Sequence, residues 1–269
     1  MTRYDTIVVE KKNHVAKLTM NRPEVLNAIN AQMFSELLLA LKDISSDDDV
    51  RVMVLTGAGR AFTAATDIKE EKGDGDRLLA HMSWYEVWQF IRTRPQVVAM
   101  TIRQMPKPTI AMVNGFAVAD GFDWALACDM RFGSEKARFM NAFLQMGLVS
   151  NTGATWLYPR AMGTGKALEL LYSGEWLEAQ EAYRIGVLNR LIPAERLEEE
   201  TMSFAAKVAA KPPIPNRLVK EMVYRSLTQP FETHLLEAAY AETFTLTTDD
   251  HKEALAAFLE KRQPKFEGK

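Results

Sequence analysis

Cysteine is nearly absent: the 269 residues contain one, Cys128, so no internal disulfide framework can form. It sits in the apolar run WALAC and reads as a buried structural thiol rather than a nucleophile. Histidine is almost as scarce. His14, His81, His234 and His251 lack metal-ligand spacing, and no structural metal is expected. Long apolar runs are missing as well, and none approaches the roughly 20 residues that span a bilayer. The opening MTRYDTIVVEKK has neither an apolar signal core nor an Arg-rich transit pattern, so the cytoplasm is the expected compartment. Charge of one sign is also lacking. A formal net charge of −2 gives no electrostatic drive toward nucleic acid or an anionic membrane, although a local basic patch remains compatible with a phosphorylated ligand.

What is present is an ordinary globular composition, 47% apolar and 25% charged, in a chain long enough for one large domain or a core with a small appendage. Short β-branched runs alternate with helical ones. Residues 6–10 and 14–20 read as a hairpin-like pair turning at Lys12-Asn13. Residues 31–44 carry Phe34, Leu37, Leu38 and Leu41 on one helical stripe. Residues 51–56 form a buried-strand candidate closed by Gly57-Ala58-Gly59, and 78–90 an unusually aromatic helix. Pro106 and Pro108 precede a strand over 109–113, and a helix is expected from about 120 to 128. Beyond residue 165 the pattern is helical, broken at Lys211-Pro212-Pro213. The last helix, 251–261, carries Leu255, Phe258 and Leu259 on one face. Repeated strand, loop and helix units predict an α/β fold with parallel pairing.

Two turns stand out. The first runs from Thr56 through Ala64, Ala65 and Thr66 to Asp67, Ile68, Lys69 and Glu70; the second runs from Val113 through Asp120 and Gly121 to Asp123. Both are rich in small residues, which let a ligand approach the backbone. At a helix start the first N–H groups lack intrahelical partners and carry partial positive charge. Two such turns side by side can clamp one developing oxyanion, where each donor is typically worth on the order of 3 kcal/mol. Taken alone, such turns serve equally well as plain connections. Gly57-Ala58-Gly59 also hints at a dinucleotide fingerprint, but Phe62 stands where its third glycine belongs.

The motifs nevertheless resemble one family in a single register from about residue 4 to 266. Asn21-Arg22-Pro23-Glu24 with Asn27-Ala28, AFTAATDIKE at 61–70, KPTIAMVNGFA at 107–117, the segment from Arg160 to Gly174, and Phe258-Leu-Glu-Lys261-Arg262 are similar to segments of the crotonase (enoyl-CoA hydratase/isomerase) superfamily. The resemblance implies an α/β crotonase-like spiral of ββα turns over residues 1–200. It also implies a C-terminal helical trimerisation region over 201–269, and a homotrimer or dimer of trimers. The implied ligand is an acyl-CoA substrate, with coenzyme A as part of it and no separate cofactor. Its thioester oxygen would lie on the N–H groups of Thr66 and Asp120. Ala64, Asp67, Ile68, Phe258 and Lys261 would meet coenzyme A, the last two from a neighbouring subunit. Otherwise Phe258 is a core residue and Lys261 a solvated charge.

Departures from the family pattern decide the chemistry. The family's Gly-Gly-Gly turn reads Ala119-Asp120-Gly121. Asp123 replaces the first hydratase glutamate and resembles the aspartate of dienoyl-CoA isomerases. Phe143 replaces the second glutamate. Asn151 occupies a position that is aspartate in several relatives; an amide orients water or substrate but is no general base. Asp123 is therefore the expected acid–base group. Asp120, one helical turn earlier, either shares a proton with it, turns away, or caps its own helix. Trp84, Tyr85, Trp88, Phe90 and Phe143 are candidates for a large apolar acyl pocket; ordinary core packing is the alternative. Hydration of a conjugated or cyclic enoyl-CoA leads, ahead of double-bond isomerisation, C–C hydrolysis of a β-diketone or β-keto thioester, and a catalytically degenerate paralogue.

Overall fold

The computed structural model describes residues 4–67 and 82–269. Strands β1 (Ile7–Lys12) and β2 (Val15–Met20) pair antiparallel. Their turn lies one residue later than expected, with Asn13 and His14 both at positive φ (51° and 62°), the geometry of a two-residue hairpin. Helix α1 (Ala31–Ser46) starts where the Asn30 side chain accepts from the Met33 N–H, and it buries Met33, Phe34, Leu37, Ala40, Leu41 and Ile44 on one face.

From there the chain repeats one move. A strand enters the first sheet, the backbone turns sharply, and a short strand enters a second sheet. Strands β3 (Val52–Gly57) and β4 (Ala61–Thr63) make the first such step. Helices α2 (Trp84–Thr93) and α3 (Pro95–Gln104) return the chain to β5 (Thr109–Val113), β6 (Phe116–Val118) and α4 (Asp120–Ala127). Strands β7 (Met130–Ser134) and β8 (Arg138–Met140) repeat it once more. Helices α5 (Ala154–Met162) and α6 (Thr164–Ser173) follow, then β9 (Leu177–Glu178), α7 (Ala179–Arg184) and β10 (Arg190–Ile192). The first sheet has the order β1-β2-β3-β5-β7-β10 and is parallel from β2 onward; the second has the order β4-β6-β8-β9. Strand β3 is buried at every position, as the middle of a parallel sheet covered on both faces requires. Leu177 and Glu178, expected to be helical, instead pair antiparallel with Phe139 and Arg138 and close the second sheet.

The main core fills the space among the sheets, α1, α3 and α4, while α8 (Leu197–Ala209) covers the other face of the first sheet through Leu197, Ala205 and Ala209. Three helices complete the chain: α9 (Pro213–Ser226), α10 (Phe231–Leu246) and α11 (Asp249–Glu260). Neither α9 nor α10 has a buried residue. Among the described residues no helix is long and apolar enough to cross a membrane.

Candidate active site

Strands β4 and β6 lie parallel, with Thr63 opposite Ala117. Thr66 and Asp120 each stand three residues further along, so the same register carries both past the ends of the two strands. Gly121 allows the helix to sit this close: a Cβ there would come within 2.5 Å of Thr63 Cγ2. The Thr66 hydroxyl in turn reaches Asp120 Oδ2 at 3.3 Å. The two turns are neighbours.

Each turn is strained at the residue just before the proposed donor. Ala65 has φ 74° and Ala119 has φ 47° with ψ −112°, conformations that cost an L-residue on the order of 1–3 kcal/mol. Surrounding structure holds them there. The Ile29 N–H donates to Ala65 O, and the Asp67 N–H to Ile29 O, at 2.8 and 2.9 Å. Arg22 bonds both the Asp67 carboxylate (2.9 Å) and Ala28 O. Buried Asn27 ties down the carbonyls of Ala58 and Ala61. The Asn-Arg-Pro segment is thus a brace for the first turn. Among the described residues, neither the Thr66 nor the Asp120 N–H reaches a backbone carbonyl.

Helix α4 is buried along its whole length, and its only charged residues are Asp120 and Asp123. One turn apart, both point toward the loop before α5. Thr152 Oγ1 lies 2.6 Å from Asp123 Oδ2 and 3.2 Å from Asp120 Oδ1, and the Ser150 hydroxyl donates to Asp123 Oδ2 at 2.7 Å. Asp123 Oδ1 is buried without a hydrogen-bond partner, as is Asn151 Oδ1. Burial raises both carboxyls. Asp120 goes to about 7, through desolvation and then the neighbouring Asp123 charge, against hydrogen bonds from Thr152, Thr66 and its own N–H. Asp123 goes to about 6 through desolvation, opposed by Thr152, Ser150, the Tyr158 hydroxyl and the Ala154 N–H. Both carboxyls of the pair are thus raised toward neutrality, and they titrate as a coupled pair.

Asp120 does not cap its helix. The N-cap is Ala119, and Asp120 is the first helical residue, its carboxylate turned to Thr66 and Thr152. Phe143 belongs to a small apolar cluster with Val118 and Ala119, against which Ala65 also packs. Trp84 and Trp88 are not core residues: they are 78% and 47% exposed and stack at 6.4 Å on α2. Tyr85 stacks on Trp88 there, whereas Phe90 turns inward against Phe34. Phe258 is 81% exposed, which removes the core reading for it; Lys261 ends α11 in a left-handed cap. The Ala64 N–H is committed to Leu26 O and the Asp67 carboxylate to Arg22, so any contact of these two with coenzyme A falls to other atoms. Ile68 and the expected helix start at 78–81 lie outside the described residues.

Some neighbours of the carboxylates escaped the sequence reading. Ser150 and Thr152 flank Asn151 in Gly147-Leu-Val-Ser-Asn-Thr-Gly153, where hydroxyls look like turn chemistry. Tyr158 was hidden in a helical pattern. Behind the same loop lies a cavity of about 620 Å³ lined by Met100, Arg103, Thr152, Trp156, Lys220 and Tyr224, among others. The glycine turn at 57–59 leads into strand β4 rather than a helix, which excludes a dinucleotide site there. Burial pushes the Cys128 thiol up to about 12, so it is inert.

Two buried carboxyls raised toward neutrality beside paired, strained turns make a candidate acid–base site. The family model for enoyl-CoA hydratase/isomerase matches residues 10–269, and the chain belongs to that family. It is similar to the crotonyl-CoA hydratase of Syntrophomonas wolfei, 32% identical over 98% of each chain. Similarity to the 1,2-epoxyphenylacetyl-CoA isomerase of Escherichia coli is 33% identity, covering 96% of this chain and 98% of the relative. A crystal structure of enoyl-CoA hydratase from Bacillus anthracis superposes with a TM-score of 0.90 at 32% identity, covering 98% of this chain and all of that one. The protein is an enoyl-CoA hydratase/isomerase-like enzyme acting on CoA thioesters.

Proposed function

We propose that the enzyme adds water across a conjugated enoyl-CoA, with the thioester oxygen on the N–H groups of Thr66 and Asp120 and with Asp123 as the group that activates water. The observation that carries this reading is Asp123: one carboxylate oxygen is anchored by two hydroxyls, the other makes no close hydrogen bond, and burial raises the carboxyl toward neutrality. Asn151, with its own unpartnered Oδ1, orients the water.

Asp120 fits this scheme only when protonated. An ionised carboxylate about 5 Å from the enolate would cost roughly 3 kcal/mol at an effective dielectric of 20, enough to cancel one donor. Raised to about 7 by burial and the Asp123 charge, it keeps its proton at pH values below that. Protonation also weakens the contact between its carboxylate and its own N–H, leaving that N–H for the thioester.

The acyl group is bulky or cyclic. Phe143 in its apolar cluster and the cavity behind Thr152, of a size typical of small-ligand sites, support that choice. Phe258 and Lys261 meet the adenine and phosphate end from a neighbouring subunit of a cytoplasmic trimer. Their exposure on the last helix supports a role at a surface that a second copy completes. A panel of acyl-CoA esters in D₂O, read by mass spectrometry, tests the reading. Hydration adds the mass of a water. Hydrogen exchange without added water means isomerisation, and a cleaved product means C–C hydrolysis; either displaces the proposal.

A further inference from the structure

Between the two carboxylates stands a hydroxyl that the hydration scheme has not used. Thr152 Oγ1 is within 2.6 Å of Asp123 Oδ2 and 3.2 Å of Asp120 Oδ1. Ser150, by contrast, reaches only Asp123. A threonine hydroxyl has one proton to give and lone pairs to receive another. With Asp120 protonated and Asp123 ionised, Thr152 accepts from the first and donates to the second. All three groups are buried. We propose that Thr152 is a positioning residue that relays a proton between Asp123 and Asp120, so that the pair resets itself after each turnover.

The inference rests on the hydration reading, and the step balances within it. Asp123 takes a proton from water as the water oxygen bonds the β-carbon, and the π-electron pair moves through to the thioester oxygen. Asp120 gives its proton to the α-carbon as the enolate collapses. One hydroxyl and one hydrogen have been added, nothing has been oxidised, and the site is left reversed, with Asp123 protonated and Asp120 ionised. A half-turn of the Asp123 carboxyl about Cβ–Cγ then brings its protonated oxygen to Thr152 Oγ1, and Asp123 passes the proton there while the Thr152 hydroxyl passes its own to Asp120. No outside donor is needed. Among the described residues, the groups that face this chain of atoms are few. Helix α5 contributes the Tyr158 hydroxyl, held well above its usual range by burial and by the Asp123 charge, so it stays neutral. The first turn contributes the Thr66 hydroxyl and, beyond it, the Asp67–Arg22 pair. The loop contributes Ser150 and the Asn151 amide.

The test compares Thr152→Val, which keeps the shape and removes the hydroxyl, with Thr152→Ser, which restores it. Relay predicts that Thr152→Val slows the first turnover only as far as the raised Asp123 midpoint requires, and slows the steady state by about 10²-fold more than that, within the usual range for acid–base assistance. Added imidazole or formate buffer speeds the slowed variant and leaves the wild type unaffected, and Thr152→Ser recovers most of the loss. A burst that vanishes together with steady-state turnover, or a loss that buffer does not relieve, overturns the relay. Carboxyl ¹³C NMR of aspartate-labelled protein gives a readout that needs no substrate. In the wild type the Asp120 and Asp123 resonances each follow both protonation steps; in Thr152→Val both midpoints rise and the shared response shrinks. Independent single steps in the wild type, unchanged by the valine, reject the relay even if the hydration reading stands. A wild type inactive on every enoyl-CoA rejects the hydration reading while this NMR result still judges the link.

Discussion

In the proposed mechanism the chemistry turns on Asp123. Asp123→Asn keeps size and hydrogen bonding but removes the base; turnover is expected to fall by about 10²–10⁴-fold with the Kd for a saturated acyl-CoA changed less than threefold. Titration calorimetry and a steady-state assay separate the two effects. The pH dependence follows from the pair. Activity needs Asp123 ionised and Asp120 protonated, so kcat/KM should be bell-shaped with limbs near 6 and 7, macroscopic values of the pair rather than of either residue. Stability has its own sign. Both carboxyls bind protons more tightly folded than unfolded, where an aspartate sits near 3.9. The folded state therefore carries excess protons between about pH 4 and 7, and stability falls as pH rises through that window, then levels off. Chemical denaturation from pH 4 to 8 should show that loss, and Asp120→Asn should flatten it. Asp120, Asp123 and Asn151 were legible as candidates through the resemblance, because they stand at the family's catalytic positions. Thr152 and Ser150 became meaningful only when the loop was folded against α4, since nothing in a Ser-Asn-Thr run says which carboxylate it will meet.

The elements that hold the site are tuned by small residues. Replacing Ala65 with Gly removes a positive-φ penalty of about 1–2 kcal/mol and adds back about 0.5–1 kcal/mol of unfolded-state freedom. A gain of about 0.5–1 kcal/mol is expected, near 2–4 °C in Tm per kcal/mol for a chain of this order of size. Differential scanning calorimetry reads it. Gly121→Ala is the reverse case. Its Cβ would press on Thr63 Cγ2, pushing α4 off β4 and separating the two proposed donors. Stability should drop by about 1–3 kcal/mol, and kcat should fall more than KM rises. Strands β3 and β5 and helices α1 and α4 were readable from periodicity and flanking glycine or proline. Strand β9 was not: two residues have no period, and their pairing with β8 is a tertiary event. The strain at Ala65 and Ala119 was equally invisible, because alanine is a residue no one expects at positive φ.

At the scale of the whole molecule, the spiral positions the site and the C-terminal helices await company. Val219, Val223, Phe231, Leu236, Tyr240 and Phe244 all lie exposed on α9 and α10, the kind of apolar exposure that marks an interaction surface where it is contiguous. Sedimentation should report a trimer or a multiple of it, and Tyr240→Glu combined with Phe244→Glu should shift the mass toward the single chain. The spiral itself was legible only through resemblance. Periodicity gave alternating strands and helices, but the order of two sheets comes from pairings distant in sequence. On the proposed reading, this arrangement serves one act, the polarisation of a thioester carbonyl between two amides. Isotope-edited infrared spectroscopy of butyryl-CoA carrying ¹³C at that carbonyl measures it on the assembled wild-type protein. Binding should move the C=O stretch below its frequency in water; a stretch that stays in place or rises would contradict the account.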